Sequence, residues 1–139
     1  MNDHRMNHHA WIDRKRGLLW LRFIGYCGFA DVDKLREKCI DLTEKDVVKS
    51  AAVDISGIEC FPDQEVRSRF GQMIGELGIK KVAVISGRPQ IKVVSVILCN
   101  DLKGFTECRA FVRKENALRW LKKSADKKLK ASNLQTGIA

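Results

Sequence analysis

Ser86-Gly87-Arg88-Pro89-Gln90 combines a hydroxyl, a flexible glycine backbone, a guanidinium and a proline suited to the first turn of a helix. Free N–H groups and the dipole at such a helix start attract anions, so this segment is the most site-like in the chain. The competing reading is a capped tight turn with a solvated arginine, and neither a G-x-G-x-x-G nor a Walker pattern is present to raise the first reading. Asp54 lies inside an apolar run, where a carboxylate needs a partner or a shifted pKa, and Ser56-Gly57 follow it. An aspartate bonded to loop N–H groups near a strand end explains Asp54 equally well. A lone carboxylate without a second acid, a base or a metal supports no mechanism, so no catalytic residue is assigned and an enzyme is not expected. The candidate rim for a ligand or partner is Ser56, Gly57, Ser86, Gly87 and Arg88.

Metal chemistry is not expected either. His4, His8 and His9 stand in a polar amino-terminal stretch and read as solvated residues. Asn2-Asp3-His4 would bind copper only after removal of Met1, which a bulky Asn2 disfavours. Cys27, Cys39, Cys60, Cys99 and Cys108 are odd in number and unevenly spaced with no C-x-x-C pair, which argues against a disulfide framework and a structural zinc site. Cys39 and Cys99 read as small core residues, and Cys60 as a loop thiol with no histidine beside it. No cofactor is expected.

The elements that must position these residues follow from periodicity. Leu18–Tyr26, Ala51–Ser56, Lys81–Ser86 and Glu107–Val112 read as strands, each followed by a helix-like run: Asp31–Leu42, Asp63–Leu77, Pro89–Leu102 and Lys114–Lys123. Asp31 is a plausible N-cap, Pro62-Asp63 opens the second helix and Gly78 stops it. Residues 91–98 are β-branched and suit a strand by propensity, but Pro89 and the need for a crossover predict a helix. Arg14-Lys15-Arg16-Gly17 between Ala10–Asp13 and Leu18–Tyr26 predicts an entering hairpin. Repeated βα order predicts an α/β domain of mostly parallel strands with right-handed crossovers and an antiparallel amino-terminal edge hairpin. Strand-end loops then share one rim, where open α/β sheets bind ligands.

The 139 residues suit a single domain, with residues 1–9 read as a disordered tail, 10–123 as the domain and 124–139 as a basic carboxy-terminal tail. The net charge of +9 is concentrated at one end, since residues 112–139 hold eight basic and two acidic side chains. No aromatic residues interleave with Lys122–Lys130, so nucleic acid is an unfavoured partner and a solvated basic end is expected. The longest apolar stretch, Val93–Cys99, is too short to span a membrane, and the amino terminus has no signal-like apolar core, so a cytoplasmic protein is expected.

Several segments together resemble a known family. These are Leu19–Gly25, Val53-Asp54-Ile55-Ser56-Gly57-Ile58, Val82–Ile85, and Cys108–Val112 followed by Glu115-Asn116-Ala117-Leu118-Arg119-Trp120-Leu121. They look like the SpoIIAA-like proteins, bacterial relatives of STAS domains that share an architecture with CRAL-TRIO lipid-binding domains. The ending F-x-x-x-x-x-A-L-x-W-L is the most specific piece, and the resemblance covers roughly residues 11–123. It implies four βα units wound as a right-handed superhelix. It also implies a non-catalytic module that binds another protein or itself, with a homodimer as one form. A carrier of a small apolar ligand or lipid is the alternative, with Val93–Leu98 and the Trp20 region as cavity lining. Anti-anti-sigma members of the STAS family are switched by phosphorylation of a serine at a helix start. Asp63-Gln64-Glu65 holds no serine there, so that switch is not carried over.

Overall fold

Ala51-Ala52-Val53 and Val82-Ala83-Val84 have no exposed surface at all, which a strand achieves only inside a sheet covered on both faces. A computed structural model describes residues 7–60 and 62–122, so the expectations for residues 1–6 and 123–139 lie outside the described residues. The order is β1 (His9–Asp13), β2 (Leu18–Gly25), α1 (Phe29–Lys45), β3 (Ser50–Ile58), α2 (Gln64–Glu76) and β4 (Lys81–Ile85). A 3₁₀ turn (Pro89–Ile91) then runs into α3 (Lys92–Leu102), followed by β5 (Glu107–Phe111) and a last helix, α4, at 114–122.

The five strands lie in the order β1-β2-β3-β4-β5. β1 pairs antiparallel with β2 across the predicted four-residue turn, which closes on Gly17 at φ 64°, and the remaining pairings are parallel. Helices α1, α2 and α3 each link neighbouring parallel strands on one face, the winding that repeated right-handed crossovers produce. Their buried residues Val32, Leu35, Phe70, Met73, Ile74 and Leu102 meet Leu19, Leu21, Val53, Val82 and Val84. On the opposite face α4 packs Ala117 and Leu121 against Leu18, Trp20, Ala52, Ala83 and Ile85. Trp11 and Trp20 stack there at 5.7 Å, and the Lys114 ammonium sits 5.1 Å from the Trp20 ring.

Element boundaries differ from the sequence expectations where local hydrogen bonding outweighs periodicity. α1 starts two residues early with Gly28 as its N-cap. Asp31 stands at the third helical position, where its carboxylate accepts the Gly28 N–H at 2.9 Å instead of capping the helix itself. Residues 91–98 are helical as expected, but Pro89–Ile91 form a tight 3₁₀ turn and the α-helix begins at Lys92. His8 is buried and His9 opens β1, which corrects, for these two residues, the reading of 1–9 as a disordered tail with solvated histidines.

The second sheet face depends on α4. Leu121→Ala is expected to cost about 2–5 kcal/mol in urea unfolding, the usual toll for emptying a buried leucine site. A loss below about 0.5 kcal/mol, typical of a surface change, would mean that α4 does not cover the sheet.

Candidate functional site

β3 carries an extra residue relative to β2: Arg22 pairs with Asp54, but Ile24 pairs with Gly57. The bulge removes a backbone N–H from the ladder, and Asp54 takes it up, Oδ1 accepting the Ser56 N–H at 2.9 Å. Its Oδ2 accepts from Arg22 Nε at 3.3 Å, on the strand directly beside it. The carboxylate that stood out in the sequence therefore holds the bulge and a cross-strand ion pair.

The bulge carries Ser56 and Gly57 along the carboxyl edge of the sheet to the turn after β4. All five rim candidates come together here. Gly87 has φ 71°, and a Cβ built on it would lie 2.7 Å from the Ser56 Cβ, so two strand-end segments touch at that point. Gly57 is less crowded, a Cβ built on it lying 3.3 Å from the Phe23 carbonyl oxygen. The polar groups, however, point into the fold. The Ser86 and Gly87 N–H groups donate to the Phe111 and Val112 carbonyls at 2.9 and 2.8 Å, continuing the β4–β5 ladder beyond β4. The fully buried Ser86 hydroxyl donates to Phe111 O at 3.4 Å, and Arg88 Nη2 donates to Ile58 O at 3.3 Å. The Ser86 and Gly87 N–H groups, the Ser86 hydroxyl and one Arg88 nitrogen are thus engaged within the fold, although residues 87–90 themselves are exposed, and the Ser56 hydroxyl has no hydrogen-bond partner among the described residues.

An apolar crevice lies beneath this rim, lined by Phe23, Val32, Ile58, Val66, Phe70, Val94 and Leu98, with a volume of about 30 Å³. That is room for about one water molecule. Larger hollows have charged borders, and the one over Leu18 holds about 370 Å³. There Lys15, Arg16, Lys49 and Lys122 surround a floor of Leu18, Leu118 and Leu121.

The sequence reading missed a cluster at the start of α1. His8, Cys27 and Asp31 offer ligand-type atoms within 4.8 Å of one another. The Ile24 N–H donates to His8 Nδ1 at 3.1 Å, which makes Nδ1 the lone-pair nitrogen and leaves the proton of the neutral ring on Nε2. Nε2 faces Asp31 Oδ2 at 3.9 Å. A nitrogen that carries a proton gives no lone pair to a cation, and burial pushes the Cys27 thiol up to about 12, so it stays protonated. The three side chains lie together where the chain before β1 meets β2 and α1, His8 accepting the Ile24 N–H and Asp31 the Gly28 N–H. Only the capping pattern Gly28–Asp31 signals it in sequence.

No protein-family model matches the chain, and no curated protein matches it. Among solved structures, RsbS from Moorella thermoacetica, in a form carrying a serine-to-glutamate substitution, matches with a TM-score of 0.56 at 16% sequence identity. The match covers 86% of this chain and 98% of that one. RsbS is a STAS-domain protein, and the two chains share that fold: a five-stranded mixed sheet, antiparallel only between β1 and β2, with four helices.

Two predictions follow from this geometry. Gly87→Ala is expected to lower stability by about 1–3 kcal/mol, because alanine at this φ is strained and its methyl meets Ser56. Denaturant unfolding with no loss would show that the two segments do not touch. For His8, burial is the main cause that lowers its pKa below the ordinary value of 6.5. The unfolded chain therefore takes up a proton first, so the stabilisation is complete above about pH 6.5 and declines as the pH falls toward the folded value. Between about pH 7 and pH 5, His8→Gln should show a shallower loss of unfolding free energy than the parent protein. Equal slopes would exclude His8 as the source.

Proposed function

We propose that this chain is a non-catalytic regulatory module that acts by binding another protein through the outer face of α3. The carrying observation is the exposure of Val93, Val96 and Ile97, at 64%, 42% and 37%. These residues recur at spacings of three and four, so they share one helix face, directly opposite the buried Ser95, Leu98 and Leu102. A helix that is apolar all round is normally buried, and an exposed apolar surface rimmed by polar residues marks an interaction site. Lys92, Asn100 and Lys103 supply the polar surroundings here. The STAS-type fold shared with RsbS supports a regulatory, non-enzymatic reading.

The carrier reading finds less support. Of the expected lining, Val94 and Leu98 do face the crevice, but Val93, Val96 and Ile97 face outward and Trp20 packs under α4. The crevice holds about 30 Å³, against the roughly 300–1,000 Å³ that encloses a drug-sized ligand. The hollow of about 370 Å³ over Leu18, Leu118 and Leu121 is bordered by Lys15, Arg16, Lys49 and Lys122, a poor lining for a wholly apolar ligand. No helix among the described residues is long and apolar enough to cross a membrane.

A photo-crosslinking residue at Val96, with a control at the exposed Glu37 on α1, tests the reading in the host cell. A protein adduct, or a dimer of this chain, is expected from position 96 and not from position 37. Val93→Glu with Ile97→Glu should weaken that association at least about tenfold while changing fold stability by no more than about 0.5 kcal/mol. Equal adducts from both positions would remove the α3 face as the site. In native mass spectrometry, an apolar ligand released on denaturation would restore the carrier.

A further inference from the structure

Cys99 and Cys108 are nine residues apart in sequence, a spacing that matches no C-x-x-C pattern. The fold places them face to face. Cys99 is on the buried side of α3 and Cys108 on the inner side of β5, the strand that pairs only with β4 at its edge of the sheet. The turn between them is tightly closed, with the Lys103 N–H donating to Cys99 O, and the Phe105 and Thr106 N–H groups both donating to Leu102 O. Across that turn the Cys108 thiol donates to Cys99 Sγ with the two sulfurs 2.8 Å apart. None of the other cysteines has such a partner. The Cys27 thiol donates to the Gly28 carbonyl at 3.9 Å, Cys39 is fully buried, and Cys60 is exposed.

We propose that Cys99 and Cys108 form a dithiol site that a low-molecular-weight disulfide oxidises to an intramolecular disulfide joining α3 to β5. The separation lies within an ångström of the ~2.05 Å bond, and both thiols sit on rigid elements that already point them at each other. Cys108 is the entry point, since it is partly exposed at the sheet edge while Cys99 is buried. The Cys108 thiolate attacks one sulfur of the oxidant, forming a mixed disulfide and releasing the first small thiol. The Cys99 thiolate then attacks Cys108 Sγ and expels the second. The protein loses two hydrogen atoms with their two electrons, and the oxidant leaves as two thiols. The hydrogen bond to Cys99 and burial both raise the Cys108 pKa, so the pair rests as a dithiol and reacts slowly. The bond fixes α3, and with it the apolar outer face, to the edge of the sheet. The pairing itself does not depend on what that face binds.

The test uses the folded full chain carrying Cys60→Ser, treated with oxidised glutathione, with remaining thiols alkylated before digestion. Cleavage after Lys92, Lys103 and Arg109 places the two cysteines on separate peptides, Val93–Lys103 and Gly104–Arg109. The expected result is a reducible species linking these peptides, a protein lighter by two hydrogen atoms, and a higher melting temperature than the reduced form. The same treatment of Cys108→Ala should yield no linked peptide. Free thiols at both positions, a stable glutathione adduct on Cys108, or a link to Cys27 or Cys39 would each overturn the proposal. A link that forms only after denaturation would overturn it as well.

Discussion

Everything in this fold depends on burying β3 and β4 on both faces at once. Their backbone groups have no water to turn to, so each must find a ladder partner, which forces neighbouring strands on either side. Their side chains divide the work by size. Val53, Val82 and Val84 point toward α1–α3, whereas Ala52 and Ala83 point toward α4. The small methyl groups on that second face leave room for a single short helix, with Trp11, Trp20 and Phe111 filling around it. This packing is the reason that, among the described residues, four helices close both sides of a five-stranded sheet.

The carboxyl edge is where the regular ladder gives way, and its polar residues answer to that need. The bulge in β3 frees the Ser56 N–H, which Asp54 captures, and the same carboxylate meets Arg22 across the strand. Beyond β4, Ser86 and Gly87 prolong the pairing with Phe111 and Val112. The Gly87 backbone lies so close to the Ser56 side chain, at a φ of 71°, that glycine is the residue that fits at position 87. The residues that look most like a ligand site are thus engaged in finishing the sheet.

α3 is the element whose composition exceeds its structural duty. Packing against β5 and α2 takes only the side bearing Val94, Ser95, Leu98, Cys99 and Leu102. β-branched residues on the outside bring no helix propensity and no core burial, so their apolar character serves neither the helix nor the core. Charged pairs elsewhere on the helical layer, such as Arg36 with Glu76 and Arg69 with Asp33, follow the ordinary pattern of a solvated surface.

Periodicity, turn residues and family resemblance were enough to read the α/β class, the parallel order, the entering hairpin and the elements within a few residues. Each of those rests on local spacing and on which face of an element must be apolar. The rim was also legible as a place, because strand-end loops converge in any such winding. What the rim residues do was not, since the use of Ser86, Gly87 and Arg88 as internal donors depends on β3 and β5 arriving beside them. His8 read as a tail residue because nothing near it in sequence announces Phe23, Ile24 and Asp31 around it. The outward face of α3 and the Cys99–Cys108 pair were hidden for the same reason. Whether an apolar residue or a thiol is covered, exposed or paired depends on contacts between elements distant along the chain, and only the tertiary structure decides those.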